Sequence, residues 1–185
     1  MRKIAILGYG TVGSGVAAVL ENSRKEVARK LGDEVEVAAV LDLRDFPGDP
    51  IQKKIVHDFS AIVSNPEIEV VAEVMGGIHP AYEFVSQALA AGKHVVTSNK
   101  ELVEARGAEL GEIARAHQVS FLFEASVAGG IPILRTINTA MIQEEIYRIT
   151  GILNGTTNYI LELMENAGAS FQEALADAQA KGYAE

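Results

Sequence analysis

Two kinds of segment alternate along most of the chain. Apolar runs of strand length occur at 3–7, 35–41, 70–75, 94–97 and 119–125. Segments with a helical apolar period occur at 12–30, 60–64, 81–91 and 105–117, and a polar stretch with Pro47, Gly48 and Pro50 at 44–58. Strands that alternate with helices predict βαβ units, and strands that are apolar throughout predict burial on both faces. Residues 1–131 are therefore expected to form an α/β domain with a doubly wound parallel sheet.

The pattern changes after residue 131. It predicts a helix at 133–141, a strand at 146–153, a helix at 156–166 and a last helix from Ser170 to Lys181. Ser170 and Glu173 have the spacing of a capping box, and Gly182 is expected to end the last helix. One strand and three helices do not make a self-sufficient core, so residues 132–185 are expected to form an incomplete α+β domain.

A glycine-rich turn follows the first predicted strand. It has the spacing G-x-G-x-x-G, and the residues expected to bind a dinucleotide are Gly8, Gly10, Thr11, Val12 and Gly13. In such a turn the first glycine permits a tight bend, the second lets the backbone approach a diphosphate, and the third lets helix and strand pack closely. The N–H groups at the helix N-terminus then face the phosphates. This turn, between a strand and a long helix, predicts a Rossmann-type domain.

The end of the second predicted strand suggests how the dinucleotide ribose is recognised. Asp42 can accept hydrogen bonds from both ribose hydroxyls and repel a 2′-phosphate, which favours NAD. Arg44, two positions later, can instead pair with a 2′-phosphate, which would allow NADP. A third interpretation is that Asp42 only caps the loop. The sequence leaves NAD and NADP both open.

Composition excludes several other classes of function. The net charge of −9 argues against nucleic-acid binding, and the absence of cysteine excludes disulfides and thiolate metal sites. The four histidines show no metal-binding spacing. No apolar segment is long enough to span a membrane, so a soluble cytoplasmic protein without membrane partners is expected.

Four segments together resemble the homoserine dehydrogenase family, in the family's order and over the whole chain. Besides the glycine turn, they are Thr97-Ser98-Asn99-Lys100-Glu101-Leu102, Glu124-Ala125-Ser126-Val127-Ala128-Gly129-Gly130-Ile131-Pro132, Gly151-Ile152-Leu153-Asn154-Gly155-Thr156-Thr157-Asn158-Tyr159 and Gly182-Tyr183-Ala184-Glu185. The resemblance implies reversible, NAD(P)-dependent reduction of L-aspartate 4-semialdehyde to L-homoserine, on the route to threonine, isoleucine and methionine. It also implies a homodimer for the full-length enzyme.

The resemblance assigns roles near the predicted cofactor. Lys100 is expected to contact substrate or cofactor and to stabilise negative charge on a carbonyl oxygen, which makes it the candidate catalytic residue. Ser98 is expected to reach the nicotinamide or its ribose. Gly182 matches a family position beside the cofactor.

Further positions match a cation site and the substrate site of the family. A monovalent cation, usually sodium, would be bound by the Glu124 side chain and by the carbonyl groups of Val127, Gly129 and Ile131. Thr156 matches a substrate-contacting position, although it can also be read as a helix N-cap, and both roles are compatible. Glu185 matches the family's substrate-binding glutamate and is expected to hold the ammonium group of the amino acid.

The chain departs from the family pattern at its end. The family's proton-donor lysine, and an aspartate four residues before it, would follow Glu185. Since the alkoxide formed by hydride transfer needs an acid, this chain is expected to bind dinucleotide but to turn over poorly. The alternative is a non-catalytic dinucleotide-binding or regulatory module.

Overall fold

The computed structural model describes residues 1–152 and 154–184. The chain divides into two compact units, Met1–Leu134 and Arg135–Glu185. The first unit contains the strands β1 (Arg2–Leu7), β2 (Val35–Leu41), β3 (Ile55–Val56), β4 (Ile68–Glu73), β5 (His94–Thr97) and β6 (Phe121–Leu122). Its helices are α1 (Thr11–Asn22), α2 (Arg24–Leu31), α3 (Ser60–Val63), α4 (Ala81–Ala90) and α5 (Lys100–Ala116), and the short α6 (Ile133–Arg135) begins at its end.

The strands form one sheet in the order β3-β2-β1-β4-β5-β6. Every neighbouring pair is parallel. The order reverses direction at β1, so the crevice between the loops that follow β1 and β4 is the place where open α/β sheets bind ligands. The predicted Rossmann-type α/β fold is confirmed.

Alternate residues of the sheet enter two different cores. In β1, Ala5 and Leu7 pack with residues of α4 and α5 on one face, and Ile6 packs on the other face near Val16 and Leu20 of α1. Because helices cover both faces, the strands are mostly apolar. The sheet is therefore fixed from both sides, and its carboxyl edge is a rigid base for loops.

Four stretches of the first unit differ from the prediction. The first helix is divided at Ser23, a residue type with a low helix propensity, whose φ of −106° and ψ of 17° are not helical. The polar stretch contains a 3₁₀ turn at Pro50–Lys54 and the edge strand β3. Helix α5 begins at Lys100, five residues earlier than predicted, because Asn99 caps it and its first turn is too polar to show the apolar period. The last strand is shortened to β6, and a 3₁₀ turn at Glu124–Ser126 follows it.

The regular elements of the second unit are helices in the part that the structure describes. After a π-helical turn at Thr136–Ala140, it contains α7 (Gly155–Asn166) and α8 (Phe171–Ala180), which share a small core around Ile160, Ala174 and Ala178. The capping box of Ser170 and Glu173 is confirmed.

The prediction of a strand at 146–153 is wrong for the described residues. Residues 146–152 are irregular, and Leu153 lies outside the described residues. Tyr147 is 89% exposed and Ile152 is 76% exposed, so their alternating pattern is not buried against another layer. A strand needs a neighbouring strand for its N–H and C=O groups, and the other described elements of this unit are helices.

Among the described residues, no helix is long and apolar enough to cross a membrane.

Candidate cofactor-binding site

A cleft of about 590 Å³ opens at the carboxyl ends of β1, β2, β3 and β4. Its walls come from the loops that follow these strands and from the start of α4. The lining residues are Gly8, Tyr9, Gly10, Leu41, Asp42, Leu43, Arg44, His57, Asp58, Phe59, Val74, Met75, Pro80 and Phe84. Four of the residues predicted to bind the cofactor, Gly8, Gly10, Asp42 and Arg44, thus line one cleft.

The three glycines of the turn have different surroundings. Gly8 has a φ of +95°, which favours glycine, and a Cβ there would lie 3.0 Å from Met75 Cγ. A Cβ on Gly13 would lie 1.9 Å from the Gly8 carbonyl oxygen, so α1 approaches β1 more closely than any side chain allows. A Cβ on Gly10 would meet nothing within 4 Å. The turn is therefore closed towards the sheet and open towards the cleft.

The N-terminus of α1 faces this open side. Its N-cap is Gly10, which has no side chain to accept hydrogen bonds from the first turn, and the helix itself begins with Thr11, Val12 and Gly13. The first N–H groups of a helix lack partners within it and carry partial positive charge. The N-terminus of α1 thus has the hydrogen-bond donors and the partial positive charge that suit an anionic group.

Asp42 is held by donors from two loops. Its Oδ2 atom accepts hydrogen bonds from Tyr9 N (2.8 Å) and Arg44 Nη2 (3.0 Å), and its Oδ1 atom accepts from Arg44 N (2.9 Å) and Arg44 Nε (3.0 Å). The Arg44 guanidinium and the two backbone N–H groups hold the pKa of Asp42 well below its usual range, against the opposing effect of burial. The carboxylate therefore caps the loop, one of the roles considered from the sequence, and its role towards a ribose stays a prediction.

Arg44 lies over the rim of the cleft. Its guanidinium also donates to the Tyr9 carbonyl oxygen (3.2 Å) and lies 5.1 Å from the centre of the Phe46 ring. The side chain is 63% exposed, whereas that of Asp42 is only 8% exposed. The rings of Phe46 and Tyr9 meet edge to face at 4.9 Å. Arg44 is thus the exposed member of the pair, and these two aromatic contacts were not anticipated from the sequence.

Ser98 and Lys100 lie at the carboxyl edge of the same sheet, two strands from β1. Ser98 N donates to the Glu73 carbonyl oxygen (3.3 Å), and Lys100 is the exposed first residue of α5. The helix is capped by the Asn99 side chain, which accepts a hydrogen bond from Leu102 N (3.1 Å). Asn99 was not among the predicted site residues, although a polar residue before a helix is the usual signal for an N-cap.

A bent loop contains the predicted cation ligands. Glu124 begins it, Ala128 and Gly129 have φ values of +56° and +58°, and Ile131 ends it. Glu124 Oε1 accepts a hydrogen bond from Leu134 N (2.9 Å), which holds the carboxylate against the end of the loop. Carboxylate and carbonyl oxygens are the donors that hard cations prefer. Among the described residues, no cluster of three or more His, Asp or Glu side chains could hold a metal, so a cation here would depend on carbonyl groups.

The predicted substrate residues belong to the second unit. The N-cap of α7 is Asn154, which accepts from Thr157 N (2.8 Å), so the interpretation of Thr156 as an N-cap is wrong. Thr156 lies in the first turn, and its hydroxyl donates to the Tyr183 carbonyl oxygen. Gly182, with a φ of +73°, ends α8 as predicted, and the Tyr183 N–H bonds back to Ala178 O (2.8 Å). Glu185 lies outside the described residues.

The chain is similar to known proteins over its whole length. A family model described as the NAD-binding domain of homoserine dehydrogenase matches residues 8–124, and one described as homoserine dehydrogenase matches residues 132–185. The homoserine dehydrogenase of Pseudomonas aeruginosa is 44% identical over 184 residues, which are 99% of this chain and 42% of that protein.

Solved structures give the same result. The crystal structure of a homoserine dehydrogenase from Thiobacillus denitrificans has a TM-score of 0.92 at 40% identity, over 100% of this chain and 43% of its own. A hyperthermophilic archaeal homoserine dehydrogenase mutant, in complex with NADPH, has a TM-score of 0.80 at 27% identity, over 98% of this chain and 61% of its own. The chain spans less than half the length of the homoserine dehydrogenase of Pseudomonas aeruginosa. By its sequence and its fold, it belongs to the homoserine dehydrogenase family.

Proposed function

We propose that the chain binds NAD or NADP in the cleft at the carboxyl edge of the sheet. The observation that carries this proposal is the shape of the glycine turn, which is closed at Gly13 and open at Gly10. The diphosphate would lie against the first turn of α1, with Gly8, Gly10, Thr11, Val12 and Gly13 forming its cradle. The matching NAD-binding family model supports the same assignment.

The Asp42–Arg44 pair is the candidate determinant of cofactor preference. Asp42 would face the ribose hydroxyls of NAD, while the exposed guanidinium of Arg44 would rotate towards the 2′-phosphate of NADP. With Arg44 in place, the charge of Asp42 is neutralised, so both dinucleotides should bind. Arg44→Ala should weaken NADPH binding by about tenfold and leave NADH binding nearly unchanged, since only the former loses a charged contact. Equal losses for the two cofactors would contradict this role.

The proposed reaction is the interconversion of L-aspartate 4-semialdehyde and L-homoserine. When bound, the dinucleotide supplies or accepts the hydride. Lys100, at the start of α5, would stabilise the negative charge that develops on the substrate oxygen, and Ser98 would orient the nicotinamide half. Thr156 and Glu185 would hold the amino-acid end of the substrate, and Gly182 would lie beside the cofactor. In the full-length enzyme, two copies would form a homodimer.

A sodium ion is proposed in the Glu124 loop. Its ligands would be the Glu124 carboxylate and the carbonyl groups of Val127, Gly129 and Ile131. Its role there would be to fix the bent loop, because a carboxylate beside several carbonyl dipoles is stabilised by a cation. Replacing sodium with tetramethylammonium, which is too large to be coordinated, should lower the melting temperature of the wild type. The same exchange should not affect Glu124→Gln.

Substitution of Gly10 tests dinucleotide binding directly. Its φ of −87° suits any residue, and its Cβ would enter open space, so Gly10→Asp should fold normally. Aspartate is a good N-cap and should preserve or raise the melting temperature. The carboxylate would nevertheless occupy the diphosphate position and repel it, weakening NADPH binding by about a hundredfold, as measured by calorimetric titration. Binding that survives Gly10→Asp, or a folded wild-type chain that binds neither NADH nor NADPH, would reject the proposal.

The reaction needs a separate assay. Reduction of NAD⁺ or NADP⁺ that depends on L-homoserine, followed by the absorbance of the reduced nicotinamide, would support it. Binding of the dinucleotide without such turnover would favour the alternative of a non-catalytic dinucleotide-binding module.

A further inference from the structure

Glu73, the last residue of β4, is a carboxylic acid buried in the sheet. Its side chain is fully buried, although the other residues of the core strands are mostly apolar. Burying a carboxyl group is costly unless hydrogen-bond donors surround it. Glu73 has three: the Thr97 hydroxyl (2.5 Å) on Oε2, and Met75 N (2.8 Å) and Asn99 Nδ2 (3.5 Å) on Oε1.

These donors come from two different loops. Met75 belongs to the segment after β4, whereas Thr97 and Asn99 lie at the end of β5 and at the start of α5. Asn99 extends the connection, since its Nδ2 also donates to the Gly77 carbonyl oxygen (2.6 Å) while its Oδ1 caps α5. A single carboxyl group therefore ties the loop after β4 to the N-terminus of α5.

Both loops carry residues of the proposed cofactor site. Met75 lines the cleft, and its side chain fills the space beside Gly8. Lys100 is the residue that follows Asn99, and the Ser98 N–H is bonded to the backbone oxygen of Glu73 itself. Any displacement of the Glu73 side chain would move the wall of the cleft and the start of α5 together.

We propose that Glu73 is a positioning residue that sets the two cofactor-binding loops relative to each other. This inference rests on the proposed dinucleotide site. Glu73 does not touch the cofactor in this role; it acts through Met75 on the glycine turn and through Thr97 and Asn99 on the segment with Ser98 and Lys100. A buried group with only a structural role would stabilise the domain as a whole. It would not act selectively on the loops at the carboxyl edge of the sheet.

Glu73→Gln is the principal test. Glutamine keeps the volume and one acceptor oxygen, but its amide has a donor where the carboxyl group accepted a hydrogen bond. Hydrogen exchange should therefore become faster in segments 74–80 and 98–103 together, and NADPH should bind about tenfold more weakly, as for the loss of one hydrogen bond.

Lys93→Met provides the matched control, because Lys93 is a buried polar residue at the opposite edge of the same sheet. Its ammonium donates to the carbonyl oxygens of Asn65 (2.6 Å) and Ile68 (2.8 Å). Lys93→Met should lower the melting temperature while leaving NADPH affinity and exchange in segments 74–80 and 98–103 unchanged. If Lys93→Met weakens binding as much as Glu73→Gln does, Glu73 is only a stabilising group and the proposal fails.

A second pair of variants tests the proposal in case Glu73→Gln does not fold. Thr97→Val keeps the shape but removes the donor to Glu73 and the acceptor of Asn99 N (3.0 Å), so exchange in segment 74–80, which does not contact Thr97 through Asn99 N, is the decisive readout and should become faster. Thr97→Ser keeps the hydroxyl and should behave like wild type. Faster hydrogen exchange in only one of the two segments, or unchanged exchange in both, would contradict the proposed coupling of the two loops. If the wild type binds no dinucleotide, the proposed function fails, but the exchange measurements still decide whether Glu73 couples the loops.

Discussion

The two edges of the parallel sheet use buried polar groups in different ways. At the amino edge, Lys93 is 4% exposed and donates to the backbone carbonyl groups of Asn65, before β4, and of Ile68, the first residue of β4. At the carboxyl edge, Glu73 and Asn99 connect separate loops, and the glycine turn leaves the first N–H groups of α1 to the cleft.

The two edges differ in whether their polar groups leave hydrogen-bond donors and space available to a ligand. Lys93 joins the segment before β5 to the start of β4 through these two carbonyl groups. The carboxyl-edge residues hold several loops around a cleft and leave donors and space unused beside Gly10. A buried polar residue that joins loops from different strands is therefore a better indicator of a functional site when those loops also line an open cleft.

The largest effect is expected for Gly13→Ala at the carboxyl edge. A methyl group 1.9 Å from the Gly8 oxygen forces α1 away from β1 and should lower the free energy of unfolding by about 3 kcal/mol or more. Chemical denaturation measures this loss. Dinucleotide binding should fall with it, because the same displacement moves the N-terminus of α1.

Gly15→Ala, on the exposed side of the same helix, is the control. Its Cβ would meet nothing within 4 Å, so alanine should be neutral or stabilise the protein by about 0.5–1 kcal/mol. Similar losses for the two variants would mean that the close approach of α1 to β1 is not what makes Gly13 necessary.

The second largest effect is expected for Lys93→Met at the amino edge. Removing the ammonium takes a buried donor from two carbonyl groups, of which that of Asn65 keeps a bond from Ile68 N (3.3 Å), and should destabilise the unit by about 2 kcal/mol. Desolvation lowers the pKa of Lys93, so relief from burying a charge offsets part of this loss. A variant that is as stable as wild type in urea denaturation would show that the amino edge does not depend on this residue.

Most of the fold could be predicted from the sequence because its signals are local. The strand at Val35–Leu41 and the strand at His94–Thr97 agree with the prediction residue for residue, since each is an apolar run between polar turns. The strand predicted at 146–153 failed because alternation shows only that a segment could be extended. Whether it pairs depends on partners that local sequence does not contain.

The site was predictable only in part for a related reason. The glycine turn has a fixed spacing, and Asp42 lies where a strand ends, so both could be assigned to one cleft. Glu73 belongs to no sequence motif, and the Thr97–Leu102 segment that contains Asn99 does not reveal which residues Asn99 contacts. Their importance comes from contacts between residues 26 positions apart in the chain, which form only when β4 and β5 pair.

A smaller effect concerns stability in acid, which can be compared for one carboxylate at each edge of the sheet. Hydrogen bonds lower the pKa of Asp42 at the carboxyl edge, mainly from Arg44, and that of Asp33 at the amino edge, mainly from the N-terminal ammonium. A depressed folded pKa stabilises the protein above the unfolded value of about 3.9, and this contribution is lost as the pH falls below that value towards the folded pKa.

Asp42→Asn and Asp33→Asn should therefore each differ most from wild type at neutral pH and least in acid, as measured by denaturation midpoints. Added salt should reduce the difference for Asp33, whose side chain is 41% exposed, more than for Asp42, which is 8% exposed. Equal salt sensitivity would show that the two carboxylates are equally screened.

The smallest effect is expected for Arg2→Ala, which removes a surface ion pair at the amino edge. Arg2 Nη1 lies 2.5 Å from Glu69 Oε2, but the two side chains are 56% and 40% exposed, so water and salt screen the attraction. The free energy of unfolding should change by at most about 0.5 kcal/mol, although the distance is shorter than any made by Lys93. If Arg2→Ala instead destabilised the protein as much as Lys93→Met does, burial would not be what distinguishes polar contacts at this edge, and the contrast between the two edges would have to be drawn from charge alone.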